Sequence, residues 1–96
     1  MRSNTTGWVN MAIGSQALYS NINSSNNIAI GYNALYSHTT GSENTAIGFY
    51  ALNADVSGIR NTATGYSALQ LNTTGYSNTA NGDYALPTNT TGYENS

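Results

Sequence analysis

The sequence predicts an all-β protein, a parallel β-solenoid built from 17-residue coils, and three observations lead there. The chain repeats with a period of 17, with no insertion or deletion. Each unit carries a Gly at its centre and is rich in Asn and Thr, which disfavours helix. A unit of this length is too short for a helical hairpin repeat, which needs roughly 33 residues or more. At about 3.3 Å per residue, extended chain of that length supplies two or three short strands and their turns. "NTAIGFYAL" at 44–52 has versions at 10–18 ("NMAIGSQAL"), 27–35 ("NIAIGYNAL"), 61–69 ("NTATGYSAL") and 78–86 ("NTANGDYAL"), which makes five full repeats. Coils start near Gly7, Ser24, Gly41, Gly58, Gly75 and Gly92, and residues 1–96 read as one repeat domain.

Each column of the repeat predicts one element. Asn10, Asn27, Asn44, Asn61 and Asn78 recur ahead of the strand, with Asn95 opening a further copy, and predict a ladder of side-chain amides along the rod. A short strand follows. Ile13, Ile30 and Ile47 recur in one column and Leu18, Leu35, Leu52, Leu69 and Leu86 in another, so both are read as inward stacks. Alternation then turns Met11, Ile28, Thr45, Thr62 and Thr79 inward as well and sends the intervening Ala outward. The converse assignment, Ala in and its flanks out, satisfies the same alternation. Gly14, Gly31, Gly48, Gly65 and Gly82 end the strand where a positive φ would penalise other residues.

The column Thr5, Ile22, Thr39, Val56, Thr73 and Thr90 is β-branched throughout and reads as a short third strand with an inward stack. The residue after each of these is polar and reads as outward. The core thins toward the C-terminus, because Thr64 and Asn81 replace Ile, and buried Thr or Asn needs partners within its own column. The rod is therefore expected to require association. "MRSNTTG" aligns with "LQLNTTG" at 69–75, so the chain begins and ends in mid-coil, as an excised piece or a stacking protomer would. Open coils offer unpaired backbone groups that favour joining along the axis.

Composition excludes several classes of function. Charged residues are 6% of the chain against roughly 25% in ordinary domains. Arg2 and Arg60 are the only basic residues, too few to follow a phosphate backbone, so no nucleic-acid partner is expected. There is no Cys, hence no disulfide framework or thiolate metal site. No run approaches the roughly 18 apolar residues of a membrane span, and "MRSNTTGWVN" has no apolar core of a signal peptide. Export would use a signal outside this chain or another route.

At these residues the sequence resembles known repeats. "NTAIGFYALNADVSG" and "NIAIGYNALYSHTTGSENTAIG" resemble the AIG-type head repeats of trimeric autotransporter adhesins, whose coils build a left-handed parallel β-roll. They resemble more closely the "NTAIGYxAL…NTTG" arrays of bacterial surface proteins and phage tail fibres. The resemblance covers essentially the whole chain. It implies a homotrimer, an extracellular, cell-surface or virion location, and a role in adhesion or as a spacer. The present coil is longer than that of the adhesin heads, so a triangular left-handed β-helix stays open beside the two-sided β-roll.

No catalytic, cofactor or metal set emerges. His38, the single histidine, shares a column with Asn4, Asn21, Asp55, Asn72 and Asn89 and reads as a polar turn residue. Glu43, Asp55, Asp83 and Glu94 form no acid–base pair, and no Asp column follows paired glycines as in calcium-binding solenoids. Aromatic residues are the feature of the surface. Tyr32, Phe49 and Tyr66 share one column, Trp8, Tyr76 and Tyr93 another, and Tyr19 and Tyr36 a third. Such stripes would seal turns or an interface, or would bind a glycan or receptor, rings stacking on sugar and Asn and Thr bonding hydroxyls. The sequons at Asn4, Asn23, Asn72 and Asn89 follow from the repeat. A remote reading is ice binding by Thr6, Thr40, Thr74 and Thr91, whose register Asn23 and Ser57 interrupt.

Overall fold

The computed structural model describes residues 7–86 and 90–94. Its regular structure is five three-residue strands: β1 (Met11–Ile13), β2 (Ile28–Ile30), β3 (Thr45–Ile47), β4 (Thr62–Thr64) and β5 (Thr79–Asn81). They form one parallel sheet in sequence order. The register follows the repeat, with Ala12, Ala29, Ala46, Ala63 and Ala80 paired in succession. The protein is thus a parallel β-solenoid with coils of 17 residues. Among the described residues there is no helix.

Strands stay short because each is bracketed by an element that turns the chain. The glycines that follow, Gly14 to Gly82, hold φ between +117° and +137°. Overlapping tight turns come next, closed in the coil of β3 by Ala51 N–H to Gly48 O at 3.3 Å, Asn53 N–H to Tyr50 O at 3.2 Å and Asp55 N–H to Leu52 O at 3.2 Å. The turns place the residue before each Ala, and the Leu after it, in the left-handed region, at φ 61° for Tyr50 and 50° for Leu52. Within these turns Leu52 N–H also reaches Ala68 O of the next coil at 3.0 Å. Stacking and turning therefore use the same short segment.

The strand face is the reverse of the preferred expectation. Ala29, Ala46, Ala63 and Ala80 are buried, whereas Met11, Ile13, Ile28 and Ile47 are exposed, Ile13 by 55%. Thr45 and Thr62 are half-buried and Thr79 is exposed on that same outer face. The reason lies across the coil. Leu18, Leu35, Leu52 and Leu69 are fully buried beside the equally buried Ala17, Ala34, Ala51 and Ala68, and Leu86 packs at the lower end. The Leu ladder fills a narrow interior, leaving the opposing strand room for a methyl group only. The core accordingly does not thin toward the C-terminus. Thr64 and Asn81 point outward and need no interior partner.

The third strand is also absent among the described residues. Ile22 and Val56 are exposed by 45% and 41%. Their column still stacks through backbone bonds, Thr39 N–H to Val56 O and Val56 N–H to Thr73 O both at 2.9 Å. The preceding column, Asn21, His38, Asp55 and Asn72, takes the inward position instead and is fully buried. Thr5 lies outside the described residues. A second parallel ladder consists of single bridges, Ile59 to Tyr76 and Tyr76 to Tyr93.

Left-handed backbone at non-Gly residues is a cost the fold carries in every coil. Arg60 sits at φ 58° and its exposed side chain has no role in the ladders. Arg60→Gly keeps the N–H bond to Ser42 O at 3.1 Å and is expected to stabilise by about 1 kcal/mol, net of the glycine's entropy cost. A rise in the urea midpoint would show it.

Candidate functional surface

Beside the Leu core, two interior polar ladders and two surfaces hold most of the described residues singled out in the sequence, while Asn4, Thr6, Asn89 and Asn95 lie outside the described residues. The interior amide ladder is continuous. Asn44 donates its backbone N–H and its Nδ2 to Asn27 Oδ1, at 2.9 and 3.2 Å. Asn61 does the same to Asn44, and Asn78 to Asn61. Asn27 bonds in the same way to Asn10, which is half-buried at the upper end. Each Nδ2 also donates to a carbonyl one turn ahead, Asn44 to Gly58 O at 2.8 Å and Asn61 to Gly75 O at 2.7 Å. An amide is the one side chain here that both donates and accepts from a fixed plane, so identical copies satisfy one another.

The second ladder departs from the expectation for His38. The side chain is fully buried instead of capping a turn. Its Nδ1 lies 2.6 Å from Asp55 Oδ2 and its Nε2 lies 2.6 Å from Gly41 O. Asn72 Nδ2 donates to the other oxygen, Asp55 Oδ1, at 2.9 Å. One coil above, Ser24 Oγ donates to Asn21 Oδ1. Burial raises the Asp55 carboxyl above its usual value, against the lowering effect of its bonds to His38, Asn72 and Gly58. The geometry resembles half of a hydrolytic triad without serving as one, because the imidazole nitrogen that would face a nucleophile is bonded to a carbonyl. Among the described residues no group of three His, Cys, Asp or Glu could hold a metal ion, and no helix is long and apolar enough to cross a membrane.

The aromatic columns lie outside. Tyr32, Phe49 and Tyr66 stack coil upon coil, with centroids 5.0 and 5.3 Å apart. Tyr76 stacks on Tyr93 at 5.0 Å and 4°, and Tyr19 on Tyr36 at 5.1 Å. Trp8 stands apart from its column mates, with Ser25, Ser42 and Ile59 between it and Tyr76. Sequence reasoning passed over Tyr50 and Tyr84. Tyr50 sits edge-on to Phe49 at 4.5 Å and to Tyr32 at 5.9 Å, and Tyr84 edge-on to Tyr66 at 5.3 Å. The negative charge Tyr84 would carry raises the Tyr66 phenol above its ordinary value. Their signal was a second aromatic one residue after the stacked column. A sugar ring packs on an open aromatic face, and in this stripe the rings cover one another's faces. What remains outward is a row of edges and hydroxyls.

The outer strand face is the other surface. Met11, Ile13, Ile28, Ile30 and Ile47 form an apolar patch over the first three coils, which gives way to Thr62, Thr64, Thr79 and Asn81 below. Gly48 alone separates Ile47 from Phe49, so the patch adjoins the ring stack. A groove of about 380 Å³ lined by Val9, Met11, Asn26 and Ile28 lies at its upper border. No family model matches the chain, and no curated protein or solved structure was found to match it.

Proposed function

We propose that the chain is a structural or adhesive segment of an extracellular fibre, on a cell surface or a virion, that self-associates through its outer strand face. The observation that carries this reading is the apolar patch of Met11, Ile13, Ile28 and Ile47, exposed with the half-buried Ile30 among them, on a chain whose interior is already complete without them. Exposed contiguous apolar surface of this kind is a mark of association. A scaffold suits the chain better than a site, since its Asn, Ala, Gly and Leu columns repeat one group from Asn10 to Leu86. A homotrimer fits the resemblance of the repeats to adhesin heads and tail-fibre arrays, and end-to-end joining is the competing arrangement.

Mass by light scattering tests it. The wild type is expected as a trimer, and Ile30→Ser with Ile47→Ser as a monomer with an unchanged far-ultraviolet spectrum. A monomeric wild type at micromolar concentration overturns the reading. Binding to a glycan array by the wild type, lost on replacing Tyr32 and Tyr66, would favour recognition by the tyrosine row instead.

A further inference from the structure

We infer that His38 and Asp55 form a one-proton lock between the coils that start at Ser24 and Gly41, and that this lock makes the fold loosen as pH rises past neutrality. The inference starts from the acceptors. A carbonyl oxygen only accepts, so the 2.6 Å contact of Nε2 with Gly41 O fixes a hydrogen on Nε2. The 2.6 Å contact of Nδ1 with Asp55 Oδ2 then needs one hydrogen between them, whichever atom holds it. Asp55 Oδ1 is already an acceptor, from Asn72 Nδ2. The folded pair thus carries one proton and no net charge, as a unit. Removing that proton would leave a lone pair facing a carboxylate at zero exposure for both side chains.

Among the described residues no other charged group faces the pair. Its column neighbours Asn21 and Asn72 and the nearby Asn61 are amides, and Gly41 and Gly58 contribute backbone only. Glu43, Arg60, Asp83 and Glu94 are exposed. In the unfolded chain a carboxyl ionises near pH 3.9 and an imidazole near 6.5. Between those values the unfolded chain also holds one proton, on the imidazole, and stability is level. Above about 6.5 it holds none while the folded pair keeps its own, so folding takes up a proton and stability falls with rising pH.

The test is denaturant unfolding at fixed protein concentration from pH 5.5 to 8.5, on the wild type and on the double variant His38→Asn, Asp55→Asn, which continues the amide column. The wild-type folding constant is expected to drop about tenfold per pH unit above roughly 6.5, and the double variant to stay level. A level wild type, or an equal fall in both, overturns the proposal. Nitrogen-15 NMR of the wild-type imidazole at pH 7.5 gives an independent reading that needs no variant to fold. A hydrogen on Nε2 is expected, and a neutral ring protonated on Nδ1 alone overturns the lock.

Discussion

Gly48→Ala is expected to destabilise the fold by about 3 kcal/mol or more, the sum of left-handed backbone strain and a clash that backbone cannot relieve. Gly48 has φ +137°, and a Cβ there would lie 2.4 Å from Gly65 O and 2.7 Å from Gly65 C. The obstacle is the next coil's main chain, so relief would require the coils to part. Gly82 supplies the control within the same column. Its φ is +117°, yet a Cβ there meets nothing within 4 Å. Gly82→Ala should therefore carry strain alone, about 1–2 kcal/mol. Urea unfolding followed by circular dichroism measures both, and equal losses would mean that coil spacing is looser than the stacked glycines imply.

Leu52→Ala should cost about 2–5 kcal/mol, toward the upper end because the site has nothing that can collapse into it. Leu52 is fully buried among ladder mates held at a fixed height by their backbone bonds, Leu35 N–H to Ala51 O and Leu52 N–H to Ala68 O. Ile47, five residues earlier and as large, should behave differently. Its side chain is 38% exposed, so Ile47→Ser should cost the coil itself under about 1 kcal/mol. Paired unfolding measurements under monomeric conditions decide the matter. A larger loss at Ile47 than at Leu52 would restore the inward reading of the Ile column.

That contrast marks where the sequence stopped being informative. The period, the parallel register, the Leu stack and the Asn stack were legible because a repeat without gaps forces like residues to one height. The sidedness of the strand was not legible, since alternation is satisfied by either face. Residue size pointed to Ile13, Ile30 and Ile47 as the core. The width of the interior, which the Leu ladder sets from the opposite wall, reversed that. The β-branched column at Ile22 and Val56 misled for a related reason: its neighbours, amides in most coils, took the inward position because they could bond one another. His38 looked like a turn residue for want of a partner in sequence. The signal was its spacing of 17 from Asp55, which in a coil of that length means contact. Nothing in residue type announced φ near 50° at Leu18, Leu35, Leu52, Leu69 and Leu86, a conformation leucine rarely adopts.

The amide ladder has a direction. In each of its rungs from Asn27 to Asn78 the later residue donates and the earlier one accepts. Backbone bonds between coils run both ways, Thr45 N–H forward to Asn61 O and Gly48 N–H back to Ile30 O, so their dipoles largely cancel. The side-chain amides do not cancel. They align as peptide units do along a helix, giving the rod an electrically positive and a negative end. The two ends of the ladder are therefore electrically unlike. Whatever stacks on the coils along their axis would meet a different electrostatic face at each end.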